Sequence, residues 1–239
     1  MNKNFKLIIG GIYIICFGLL IFAVFSYLDL KDLTDLKFIK NNTIHLLDYK
    51  NENLVLTVIL FFTFSIIWIL LLGFGAPLAI ISGFIFGKWY GTIISIVSLT
   101  TGCTLLYIFA NFYFKDIIEQ HLEKKISKFK YLFKKREFFY FMIFRLTGGG
   151  GIPFAIQNVI PVLFNMKTKN YFFASLYGLA PMLFIINSLG SGIEKLVAKN
   201  EGFSYLMIIT DPGIYIPIIS FLFILIISYF IKRKLFTNN

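Results

Sequence analysis

Carboxylates are scarce in this sequence: Asp and Glu number 12, against 23 Lys and Arg. They also avoid the apolar runs, so neither paired carboxylates for general acid–base chemistry nor a carboxylate proton relay is evident. Glu137, Glu194 and Asp211 stand only at the ends of such runs. Cysteine occurs twice, at Cys16 and Cys103, each inside an apolar run, which excludes a disulfide framework and suggests buried thiols. The two histidines, His45 and His121, lie in polar stretches and make no metal-ligand pattern. The motifs G-x-S-x-G, H-E-x-x-H and C-x-x-C are missing. The stretch Gly83 to Trp89 resembles a P-loop superficially. Its spacing is one residue short, and Trp89 stands where a magnesium-binding hydroxyl is needed. No cofactor is expected, and the chain reads as a non-enzyme.

What is present is apolar. Of the 239 residues, 58% are hydrophobic and only 15% charged, with a mean hydropathy of +0.79; soluble domains lie nearer about 25% charged. The expected fold class is an all-α polytopic membrane protein. The net charge of +11 comes from basic residues clustered beside apolar spans. That placement points to anionic lipid head groups and cytoplasmic loops rather than nucleic acid. The expected partners are membrane lipids with anionic head groups, with a homo-oligomer left open.

Crossing a bilayer takes about 20 apolar residues. The runs at 7–27, 54–72, 91–110, 171–189 and 214–231 are span candidates, and the count is about five to six transmembrane helices. The first, preceded by Lys3 and Lys6, exceeds a cleavable signal in length and lacks an A-x-A site, so it reads as a retained anchor. Three regions follow: residues 1–53, an anchor and an amphipathic surface segment; 54–196, the membrane domain; and 197–239, a last span with a basic tail. Residues 111–137 carry eight Lys and Arg between aromatic and aliphatic residues. Such a stretch serves either as a helix on an anionic leaflet or as a topology determinant. Positive charge places this stretch and the C-terminus in the cytoplasm, which fits a bacterial inner-membrane protein. The side of the N-terminus depends on whether the Pro77 segment crosses.

Two apolar segments are broken by glycine and proline: GFGAPLAIISGFIFG from Gly73 and GGGGIPFAIQNVIPVLFN from Gly148. Broken segments in two halves of a chain point to a transport site. They predict re-entrant helices near 73–90 and 148–165. Pro77 and Pro153 suit the first turn of a half-helix, whose free N–H groups favour an anion. Arg145 stands in the apolar run ahead of the second break. An arginine at membrane depth costs roughly 2.5–3.5 kcal/mol and is a functional-site hypothesis by default. Gly148, Gly149, Gly150 and Gly151 would let backbone amides approach the same anion, with Gln157 and Asn158 adding hydrogen bonds. A water-accessible pocket at Arg145 is therefore expected. Gly83, Gly87 and Gly91, four residues apart, suit close helix packing.

Pro77-x5-Gly83-x2-Phe86-Gly87-x3-Gly91, followed by Gly102, resembles the first half of the DedA superfamily domain. That domain is also called the VTT or SNARE-associated Golgi protein domain. Phe144-Arg145, Pro153-Phe154-x3-Asn158, Gly178-x2-Pro181 and Gly190 resemble the second half, and the match covers about residues 73–196. The resemblance implies two facing re-entrant broken helices in an inverted repeat. It also implies a role in moving phospholipids or polyprenyl-phosphate carriers between leaflets, with Arg145, Pro153, Phe154 and Asn158 as motif positions. The chain departs from the pattern in its four-glycine insertion, in Asn111 where an arginine is common, and in lacking an acidic residue near Pro77. The function expected is a lipid translocase or scramblase without ATP hydrolysis. The alternatives are a secondary transporter of a small anion and a non-catalytic membrane scaffold.

Overall fold

The computed structural model describes Gly18, residues 36–198 and residues 210–236. The first span candidate and Cys16 lie outside the described residues. Every described element is helical. They are α1 (Leu36–Glu52), α2 (Leu54–Leu70), α3 (Gly75–Lys135), α4 (Glu137–Leu146), α5 (Phe154–Val159), α6 (Thr168–Ala198) and α7 (Pro212–Phe236), with 3-10 turns at Gly148–Gly151 and Ile160–Phe164.

Helix α1 meets α2 at a bend of 112°. Among the described residues, two helices are long and apolar enough to cross a membrane, Gly75–Tyr113 and Thr168–Val197; the bent α1–α2 pair makes up to three. The five to six spans expected from the sequence include one outside the described residues. They also include α2, only 17 residues long, and the run at 214–231, which lies within α7.

Both breaks expected from glycine and proline are present. Helix α2 stops at Leu70 and α3 starts at Gly75. Inside α3 the backbone leaves helical geometry at Gly87, with φ 76° and ψ 171°. That region is essentially open to glycine alone. The chain folds back there: Ser82 Oγ donates to the Gly91 carbonyl at 2.9 Å, although nine residues of straight helix would separate them by about 13 Å. In the second half, α4 ends at Leu146, the glycine turn follows, and α5 with its 3-10 extension leads to Asn165. Asn165 is left-handed, with φ 49°. Each half therefore has the same order: helix, break, short helix, positive-φ hinge, long helix.

Two stretches beyond the span candidates are also helical. The basic stretch 111–137 continues the span as helix up to Lys135, because no glycine or proline lies between Gly102 and that residue. Helix α6 runs through Gly178, Pro181, Gly190 and Gly192 to Ala198, past the end of the 171–189 run. Those last two glycines serve close approach. A Cβ on Gly190 would lie 2.1 Å from the Ile80 carbonyl oxygen, and one on Gly192 2.4 Å from that of Gly213.

The core lies between α2, the arms of α3, α4 and α6, and includes Phe61, Ile69, Leu78, Leu99, Leu106, Phe141 and Leu183. Aliphatic and aromatic side chains on the outside of α2, α3 and α7, such as Val55, Ile93 and Phe223, remain exposed. Apolar surface of this extent marks contact with membrane or protein.

Candidate functional site

Arg145 closes α4 one residue before its end and is 1% exposed. It reaches the interior because α6 comes close. At Gly178 a Cβ would stand 2.6 Å from Arg145 Cβ and 2.7 Å from the Met142 carbonyl oxygen. The guanidinium then meets three neutral acceptors. Nη2 donates to Asn158 Oδ1 at 2.5 Å and to the Tyr171 hydroxyl at 2.9 Å, and Nη1 donates to Gln157 Oε1 at 3.4 Å. The rings of Phe141, Phe154 and Tyr171 surround it, with centroids 4.9, 5.5 and 5.7 Å from Cζ. Such cation–π contacts offset part of the lost hydration.

The glycine turn is tied to this cluster through Gln157. Its Nε2 donates to the Ile152 carbonyl at 2.6 Å and to that of Gly148 at 3.2 Å. Gly149, with φ 69°, presses on Gln157: a Cβ there would lie 2.1 Å from Gln157 Cδ. Gly148 and Gly151 also have positive φ but border open space. Gly150 belongs to the same 3-10 turn. Pro153 is the N-cap of α5 and is exposed.

Of the expected residues, the structure thus joins Arg145, Gly148, Gly149, Phe154, Gln157 and Asn158. Pro77, Gly83 and Gly87 belong to the other half. Pro77 is exposed in the first turn of α3. Gly83 backs onto α6, 2.0 Å from the Asn187 carbonyl oxygen at its Cβ position. The halves still meet at their breaks, since a Cβ on Gly75 would lie 3.3 Å from Phe154 Cζ.

The water-accessible pocket expected at Arg145 is not what this conformation shows: aromatic rings enclose the guanidinium. A cavity of about 490 Å³ lies instead where the end of α3, the start of α4 and residues 165–170 come together.

Several participants were not singled out from the sequence. Tyr171 accepts from Arg145, and its ring stacks on Tyr107 at 4.5 Å. Tyr107 donates to the Met166 carbonyl at 2.5 Å, holding the long arm of α3 to the second hinge. Asn187 donates to Ser95 Oγ at 2.8 Å within the buried α3–α6 contact. These pairs are 26 to 92 residues apart in the chain, so no local pattern announces them. Two donors at the site, Arg145 Nε and Asn158 Nδ2, are buried without a hydrogen-bond partner.

Broken helices packed around a buried arginine, with an apolar exterior, define an all-helical membrane protein. The chain belongs to the VTT domain family, of the DedA superfamily: the family model matches residues 73–192, which takes in both breaks, Arg145 and most of α6. The uncharacterized protein YqeD of Bacillus subtilis (strain 168) is 28% identical over 138 residues, 56% of this chain and 65% of that protein. The chain therefore spans just under two thirds of the length of this curated relative. No solved structure matches it.

Proposed function

We propose that this protein moves a phosphate-bearing lipid, a phospholipid or a polyprenyl phosphate, between leaflets without hydrolysing ATP. One observation carries the reading: Arg145 is a fully buried cation whose hydrogen-bond acceptors are all neutral. A buried charge is ordinarily paired. Here an anion would complete the pairing, and the two unpartnered donors beside it, Arg145 Nε and Asn158 Nδ2, suit phosphate oxygens. The lipid would enter when the two broken, re-entrant segments part at the Gly75–Phe154 contact. Its acyl chains would stay in the bilayer, which removes the need for a large aqueous channel.

The test is reconstitution of the full chain into liposomes holding a fluorescent phospholipid quenchable from one side only. Faster loss of the protected fraction than in protein-free vesicles is expected, and abolition by Arg145→Gln. Equal rates in loaded and empty vesicles would refute the reading. Arginine-dependent uptake of a soluble anion in place of lipid would assign the site to a small-solute transporter.

A further inference from the structure

We propose that the 490 Å³ cavity beyond the site binds a phosphate-bearing anion, through Lys134, Lys135, Arg136 and Lys167. The inference deepens the lipid-handling reading and rests on it for the class of ligand.

The cations come from two places. Three end α3 and lead into α4, and Lys167 sits in the link to α6, 31 or more residues later. The fold brings them to one concavity. All four side chains are exposed. The carboxylate in the lining, Glu137, is only 8% exposed and is occupied by neutral donors: the Lys167 backbone N–H at 3.2 Å and Asn170 Nδ2 at 2.6 Å. Glu137 thus fixes the wall of the cavity without being hydrogen-bonded to the cationic side chains. The first turn of α6 begins in the same wall and adds the partial positive charge of a long helix's N-terminus.

The surroundings suit a head group. Phe139, Tyr140, Phe173 and Tyr177 are exposed on α4 and α6 next to the cavity. Phe138, in its lining, contacts the Tyr177 ring at 6.5 Å, and Phe173 stacks on Tyr177. Exposed aromatics of this kind settle at the membrane–water boundary. Basic residues at that depth attract anionic lipids, by about fivefold in affinity for each Lys or Arg.

The experiment uses the full chain in zwitterionic detergent. Acyl-spin-labelled phosphatidylglycerol and phosphatidylcholine report lipid preference, and calorimetry with inorganic phosphate reports free-anion binding. Wild type is expected to prefer phosphatidylglycerol. K134Q/K135Q/R136Q/K167Q should lower that affinity more than about a hundredfold, and K88Q/K195Q, which removes two exposed lysines elsewhere, should leave it unchanged. If the quadruple variant does not fold, K134Q/K135Q alone should still lower the affinity more than tenfold. Lipid preference without phosphate binding identifies a head group as the occupant; phosphate binding without lipid preference identifies the free anion. Neither kind of binding, or equal losses in K88Q/K195Q, overturns the proposal. Preference for phosphatidylglycerol in a protein that moves no lipid would sink the translocation reading and leave this site standing.

Discussion

Arg145 and Tyr171 stand 26 residues apart and meet through a 2.9 Å hydrogen bond from Nη2 to the tyrosine hydroxyl. The bond joins the end of α4 to the first turn of α6 across the glycine turn and α5. The Tyr171 ring in turn lies between Tyr107 and Phe141, with centroids 4.5 and 5.0 Å away. The cation is thereby fixed by elements from both halves.

Tyr171→Phe keeps the ring stack and removes the acceptor. A buried donor left unsatisfied costs about 1–3 kcal/mol, and Arg145 already carries one at Nε. A lower unfolding temperature in detergent is expected, with helicity unchanged. An unchanged midpoint would show that this hydrogen bond does not hold the site.

Arg145→Met should separate function from stability. Removing the cation recovers roughly 2.5–3.5 kcal/mol of insertion cost. Losing three hydrogen bonds, at about 0.5–1.5 kcal/mol each, offsets this. Lipid movement should vanish while thermal stability changes little. A variant that does not fold, or one that still moves lipid, contradicts this.

The glycine turn gives a paired comparison. Gly148→Ala meets nothing within 4 Å, and its penalty is the positive φ alone, about 1–2 kcal/mol. Gly149→Ala adds a collision with Gln157, the residue linking the turn to Arg145. Gly149→Ala should therefore be the more destabilising and should slow lipid movement. Thermal unfolding and the liposome assay on both variants check the order.

Gly87→Ala and Gly83→Ala fail for different reasons. The first has open space around it and suffers only torsional strain, about 1–3 kcal/mol. The second drives a methyl into the backbone of Asn187, and even ordinary overpacking costs about 1–3 kcal/mol. Gly83→Ala should show the larger fall in unfolding temperature. The reverse order would mean that α3 and α6 are further apart than described.

The parts of this fold that glycine and proline control are legible in the sequence. The break before Pro77, the bend at Gly148–Gly151 and the placing of Arg145 against them follow from local chemistry. So does the union of Arg145 with Asn158, 13 residues on, once the chain is known to double back. Tyr107, Tyr171 and Asn187 were illegible because their roles come from partners in other helices. The extension of α6 past residue 189 is hidden for a related reason. Gly190 and Gly192 look like a turn in isolation, but they face the backbones of Ile80 and Gly213 and need to be small for that. The enclosure of Arg145 could not be foreseen either, because it depends on three aromatic rings from α4, α5 and α6 converging on one point.

The seam where Gly83 abuts Asn187 and Gly190 abuts Ile80 has main chain lying directly against main chain. Helices in that relation have no side-chain cushion to deform, so they slide or tilt past one another only by separating altogether. The Gly75–Phe154 meeting is made by a ring, and a ring can swing aside by rotating two bonds. The two halves thus meet backbone to backbone at one place and through a side chain at the other. In the proposed lipid entry, the backbone seam would serve as the axis and the Gly75–Phe154 contact as the gap.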